Sequence, residues 1–213
     1  MFKEKDIQLW IVHKNLQLMP VTNTEKRFAR KLSFSRSNEY LFTRGYLRKI
    51  LSEKFRIPPL DIPLEAPPGM PPIIDNNLGF ISISHCENAL FLAWCKEKIG
   101  IDIELRNRLI PAKKIYQRFY TNREKNELIS LTSEKLRLKT LRYWVLKEAS
   151  IKWEHGSLFN GLSDWEVSPN LKESFNKDKN ITLNSCCLDY QSWCLGLVNK
   201  SMKLELNQIE EIF

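Results

Sequence analysis

The chain has 213 residues, a formal net charge of +8 at pH 7, and is 43% hydrophobic and 11% aromatic. That length holds one large domain or two small ones with a real core, which excludes a disordered chain. The charged start, Met1-Phe2-Lys3-Glu4-Lys5-Asp6, lacks the apolar stretch of a signal peptide, and no run is long enough for a membrane span. The cysteines, Cys86, Cys95, Cys186, Cys187 and Cys194, form no C-x-x-C and no zinc spacing. Reduced thiols in a cytoplasmic protein are the simplest reading. The basic excess attracts acidic partners: nucleic acid, membrane surface, polyphosphate or acidic protein.

Ile7-Gln8-Leu9-Trp10-Ile11-Val12 is apolar and partly alternating, which predicts a first strand. After Pro20, Thr22 or Thr24 can cap a helix from Glu25 to about Leu32. Ser37 or Asn38 then caps a stronger helix, Glu39 to Phe55, with Tyr40, Leu41, Tyr46, Leu47, Ile50, Leu51 and Phe55 near helical spacing. Arg44 and Arg48 share one face of it; each pairs with a separate acid, or a phosphate satisfies both. Seven of the ten prolines fall between residues 57 and 79, so this stretch is an extended connection rather than a helix or central strand. Turns are expected at Pro68-Gly69 and near Asn76-Asn77.

Phe80-Ile81-Ser82-Ile83-Ser84 reads as a strand, His85 to Asn88 as a turn and Ala89 to Cys95 as the returning strand. Ile99-Gly100-Ile101-Asp102-Ile103-Glu104 completes a three-stranded meander over 80–104. Its isoleucines alternate with Gly100, Asp102 and Glu104. Residues two apart on a strand share a face at roughly 6–7 Å. Asp102 and Glu104 therefore stand side by side and repel unless a cation lies between them. Mg²⁺ needs only one or two protein carboxylates beside its waters. A strand with one wet face is the plainer reading of such a pair. His85, at the hairpin tip, shares the sheet.

Pro111 opens a helix to about Tyr120. Thr121 with Glu124 predicts a capping box for Asn122 to Leu131. A long helix runs from about Ser133 to His155 and ends at Gly156. Glu148 and Lys152 are i, i+4 neighbours on it. Strands follow at 164–167, 181–188, 193–198 and 203–206, with 169–180 as an exposed loop. Helices, meander, helices, meander: the expectation is an α+β fold of two similar lobes in a pseudo-two-fold arrangement. Each lobe is a small antiparallel sheet packed with helices, over residues 1–105 and 106–213, with the active site between them.

Three motifs then stand in order: Ile83-Ser84-His85, Gly100-Ile101-Asp102-Ile103-Glu104, and Trp144-Val145-Leu146-Lys147-Glu148-Ala149-Ser150-Ile151-Lys152. Their order and spacing resemble the Sfp-type 4'-phosphopantetheinyl transferases, over most of the chain from about Arg27 to Val167. The resemblance implies transfer of the phosphopantetheine arm of coenzyme A to a serine of an apo carrier protein, with adenosine 3',5'-bisphosphate leaving. It implies Asp102, Glu104 and Glu148 as Mg²⁺ ligands, and Glu148 or a metal-held water as base for the carrier serine. Lys152 would lie against the phosphates. Ser84 and His85 resemble contacts to the 3'-phosphate region of coenzyme A. Arg44 lies in a segment similar to the family's R-G-x-L-R helix and is a candidate for the same phosphate, with Lys26 and Arg30 beside it. The length suits the monomeric, two-lobed branch. The implied partner is an acidic carrier docking near Arg118 to Lys125, with neither nucleic acid nor membrane involved.

Three positions depart from the family pattern. Cys86 stands where a serine is common after Ser-His, Met70 replaces a lysine before the first meander, and Gly156 and Gly161 are further apart than in the usual turn. The rival readings are a basic nucleic-acid-binding protein and a metal-dependent nuclease; for the nuclease, Arg106 stands where a lysine is expected.

Overall fold

The computed structural model describes residues 7–155, 161–201 and 209–213. In chain order the elements are β1 (Gln8–His13), α1 (Asn23–Ala29), α2 (Phe34–Phe55), β2 (Leu64–Glu65), β3 (Ile73–Ile74), β4 (Phe80–His85), β5 (Ala89–Cys95) and β6 (Ile99–Leu105). After these come α3 (Ala112–Phe119), α4 (Asn122–Leu128), α5 (Ser133–Glu154), β7 (Trp165–Val167), β8 (Glu173–Asn176), β9 (Ile181–Tyr190), β10 (Trp193–Asn199) and β11 (Ile209–Ile212). The α+β class stands. One sheet has the order β11-β1-β5-β4 and another β6-β10-β9-β8-β7, while β2 and β3 pair in the proline-rich connection. All ladders are antiparallel except β1–β11, which is parallel.

The inner faces of the two sheets pack on each other. Leu9, Ile11, Phe91 and Ala93 of the first meet Ile99, Ile101, Ile103, Leu195 and Leu197 of the second. The outer face of the first sheet packs on α2 through Trp10, Leu90, Leu92, Tyr46 and Leu47. The outer face of the second packs on α5 through Leu183, Val198, Leu146 and Ala149. The isoleucines of β6 thus fill the layer between sheets, and its Gly100, Asp102 and Glu104 turn toward α5.

That helix approaches closely because two strand positions have no side chain. A Cβ on Gly100 would lie 2.0 Å from the Ala149 carbonyl oxygen, and one on Gly196 would lie 2.6 Å from that of Val145. Gly196 is the cross-strand partner of Asp102. Backbone-to-backbone contact at both points sets the height of α5 over the sheet.

Each long helix is also pinned by a buried ion pair. Thr22 caps α1 in a capping box with Glu25, and Thr121 caps α4 in the same way with Glu124. Both glutamates are buried. Arg48 Nε of α2 donates to Glu25 Oε1 and Oε2 at 3.0 and 2.9 Å, and its Nη1 donates to the carbonyls of Pro59 and Ile62. Lys147 Nζ of α5 lies 2.9 Å from Glu124 Oε2 and donates to the carbonyls of Leu162 and Trp165. Burial lowers the Lys147 ammonium pKa, and Glu124 opposes that shift. In each half a capping glutamate holds a cation two-thirds of the way along a 22-residue helix.

Three local expectations are corrected. The meander over 80–104 is split: β4 and β5 form a hairpin in the first sheet, and β6 joins β10 in the second. The turn at Lys96-Glu97-Lys98 thus changes sheets, and the boundary expected at 105/106 separates β6 from its hydrogen-bonded partner. Helix α2 begins at Phe34 rather than Glu39, because its first turn buries nothing (Phe34 is 84% exposed) and leaves no apolar period to read. The loop expected over 169–180 contains β8, whose Ser174 and Asn176 are buried polar residues. Helix α5 ends at His155 in the left-handed conformation, φ 60°. Gly156 and the strand expected at 203–206 lie outside the described residues.

Two stability predictions follow from these contacts. Gly100→Ala forces a methyl into the Ala149 carbonyl and is expected to lower the unfolding free energy by about 1–3 kcal/mol in urea denaturation; an unchanged midpoint would refute the close approach. Lys147→Met leaves Glu124 buried without its cation and is expected to cost about 3–5 kcal/mol. Adding Glu124→Gln is expected to recover part of that loss, so a double variant weaker than Lys147→Met contradicts the pairing.

Candidate functional site

The site begins at Asp102, which is 2% exposed. Its Oδ1 accepts hydrogen bonds from Ser84 Oγ at 2.6 Å and from Lys152 Nζ at 2.6 Å, and Lys152 Nζ also donates to Ser84 Oγ at 2.7 Å. Its Oδ2 is buried with no hydrogen-bond partner. Ser84 arrives from β4, Asp102 from β6 and Lys152 from α5, so three separate sequence motifs meet at one carboxylate oxygen. Glu104, two residues along β6, pairs with Arg108. Burial raises its pKa, Arg108 opposes, and the Asp102 charge adds to the rise. Glu148, one turn before Lys152, is pushed up to about 8, first by burial and then by the Asp102 charge, with Lys152 opposing and Glu104 adding.

The carboxylates thus act on one another through space. Among the described residues no group of three or more His, Cys, Asp or Glu side chains is gathered tightly enough to hold a metal ion. The Lys152 ammonium supplies the positive charge at Asp102 instead. The donor chemistry still fits a hard cation: an unpartnered buried carboxylate oxygen on Asp102, and two further carboxylates within its field.

A cleft of about 360 Å³ opens on the other side of β4, between α2 and the proline-rich connection. Ser84 faces Asp102, while its neighbour His85 lines the cleft with Arg36, Glu39, Thr43, Arg44 and Met70. Arg44 is 7% exposed; its Nε donates to the Ala66 carbonyl at 2.9 Å and its guanidinium lies over the Tyr40 ring at 4.7 Å. His85 Nε2 is 2.8 Å from Glu39 Oε1. Burial lowers the His85 pKa, with Glu39 opposing.

Ser84, Asp102 and Lys152 are therefore brought into contact, Glu104 and Glu148 into their electrostatic reach, and Arg44 and His85 into the adjoining cleft. Lys26 is not brought to it: it is exposed on α1 and does not line the cleft. Arg48 is spent on Glu25, so no phosphate bridges it to Arg44. Sequence reasoning missed Arg36, Glu39, Lys14 and Arg108. The signal for the first two was helical spacing back from Arg44 through Tyr40, hidden because α2 was expected to begin three residues after Arg36. Met70, 60% exposed, forms cleft wall without a charge.

Of the six tryptophans, Trp10, Trp94, Trp153, Trp165 and Trp193 are buried in the core and present no ring faces to a nucleic-acid strand. No helix among the described residues is long and apolar enough to cross a membrane.

Comparison with known proteins agrees with this constellation. The family model described as the 4'-phosphopantetheinyl transferase superfamily matches residues 98–198, which span β6, α5 and β10. The chain is 26% identical over 160 residues to the 4'-phosphopantetheinyl transferase HetI of Nostoc sp., covering 69% of this chain and 68% of that protein. It is also 26% identical over 154 residues to the 4'-phosphopantetheinyl transferase ffp of Bacillus subtilis, covering 71% and 68%. Asp102, Glu104, Glu148 and Lys152 all lie inside the span over which the chain is similar to the 4'-phosphopantetheinyl transferase superfamily.

Proposed function

We propose that this enzyme transfers the 4'-phosphopantetheine arm of coenzyme A to a serine of an apo carrier protein and releases adenosine 3',5'-bisphosphate. The observation that carries the reading is the meeting of Ser84, Lys152 and Asp102 at one buried oxygen, beside a cleft rimmed by arginine and histidine. Phosphoryl-type transfer asks a protein mainly for positioning and charge stabilisation. Fixed cations beside a set of carboxylates supply both.

On this reading Arg44 and His85 hold the nucleotide end of coenzyme A, and Lys152 neutralises the pyrophosphate. Asp102, Glu104 and Glu148 would hold Mg²⁺, supported by the unpartnered Asp102 oxygen and by the burial and then the carboxylate repulsion that raise Glu148. The chemistry that the ion supplies when bound is neutralisation of charge on the pyrophosphate oxygens as the bond breaks. Glu148, or a water beside it, takes the proton of the carrier serine. The serine oxygen forms the new bond to phosphorus on the arm, and the bond to the bridging oxygen of the adenosine bisphosphate breaks. Carrier docking is supported by Lys113, Lys114, Arg118 and Arg123, exposed on α3 and α4, which complement an acidic partner. The enzyme acts as a cytoplasmic monomer.

The test is a mass measurement. Incubated with coenzyme A and Mg²⁺, an apo carrier from fatty-acid, polyketide or peptide synthesis is expected to gain the mass of the arm. A chelator is expected to stop the gain and added Mg²⁺ to restore it. If carriers of all three classes stay unmodified, the reading fails. Asp102→Ala is expected to lower the rate by about 10²-fold or more while the chain still unfolds cooperatively. Full activity in that variant would remove Asp102 from the metal set.

A further inference from the structure

One charge in the cleft has the wrong sign for a phosphate site. Glu39 projects from the second turn of α2 and is half-exposed, and its carboxylate lies between His85 and the Lys14 ammonium. Oε1 is 2.8 Å from His85 Nε2 and Oε2 is 3.1 Å from Lys14 Nζ. Lys14 is held from behind by the Cys86 carbonyl, which accepts from Nζ at 2.6 Å. The carboxylate oxygens thus stand where the oxygens of a phosphate monoester would stand to take the same two donors. Arg36, on the same wall one turn earlier, is exposed and has no ion pair among the described residues.

We propose that Glu39 is a built-in counter-anion that sets donor specificity. By occupying the anion position between His85 and Lys14, it reduces what the enzyme gains from the 3'-phosphate that distinguishes coenzyme A from 3'-dephospho-coenzyme A. This rests on the reading of the cleft as the site for the nucleotide end of the donor. A 3'-phosphate entering the cleft must either displace the Glu39 carboxylate from His85 and Lys14 or settle on Arg36 or Arg44 against its repulsion. A donor ending in a 3'-hydroxyl meets neither penalty, because a hydroxyl can donate a hydrogen bond to the carboxylate. The parent enzyme therefore discriminates weakly between the two donors, and removing the carboxylate charge opens the gap.

Calorimetric titration of the full chain with each of the two donors tests this, comparing the parent with Glu39→Gln and Glu39→Arg. The readout is the ratio of the dissociation constant for 3'-dephospho-coenzyme A to that for coenzyme A. The ratio is expected to widen more than threefold in Glu39→Gln, which keeps the size and removes the charge, and further in Glu39→Arg. A ratio that widens less than threefold in both variants overturns the proposal. If the parent binds neither donor, the cleft is not the donor site, and the functional reading falls rather than the role of Glu39 within it.

Discussion

The arrangement depends on how closely α5 lies against the second sheet. Side chains normally hold a helix away from a sheet, and dense interiors resist any change in that spacing. Here Gly100 and Gly196 remove the side chains at two neighbouring points, and the carbonyls of Ala149 and Val145 descend into the space. Asp102 lies next to both glycines, two residues along β6 from the first and directly across the ladder from the second. Lys152 reaches it only because the helix is this low, and Glu148 feels its charge for the same reason. The chemistry of the site is thus a product of packing before it is a matter of charge.

Adjacent residues on α5 do opposite work. Lys147 turns inward to Glu124 and two carbonyls, while Glu148, roughly 100° further around the helix, faces the acids of β6. The same division occurs on α2, where Arg48 is consumed by Glu25 and Arg44 lines the cleft. A buried ion pair of this kind adds little net stability over an apolar substitute, but breaking it is expensive. Its value here is registry: it stops each helix from rotating or sliding, and so fixes what the next charged residue along faces.

Much of this was legible in the chain. Strict alternation over Ile99 to Glu104 gave both the strand and the face of its acids, and the capping box at Thr121 and Glu124 marked a helix start to the residue. What periodicity could not carry was partnership. Nothing local distinguishes a third meander strand from a strand that crosses to another sheet, so β6 was assigned to the hairpin preceding it. The cleft lost Arg36 because a solvent-exposed first turn has no hydrophobic period. Arg48 stayed open between an acid and a phosphate because the acid that neutralises it lies on a different helix. The strand β11 depends on a parallel ladder with β1 at the far end of the chain, a pairing that no short window contains.

The crossing of β6 between sheets has a mechanical consequence. Asp102 and Glu104 are hydrogen-bonded by their backbone into the sheet that carries α5, so the acids, Glu148 and Lys152 move as one body. The cleft residues Arg44 and His85 belong to the other sheet and its helix. The seam between these bodies crosses the site at Ser84, whose hydroxyl reaches from the first sheet to Asp102 and Lys152. Any breathing of the sheets against each other would therefore change the separation between the cleft and the carboxylate cluster while leaving the internal geometry of each intact. A ligand long enough to touch both sides would act as the strut that sets that distance.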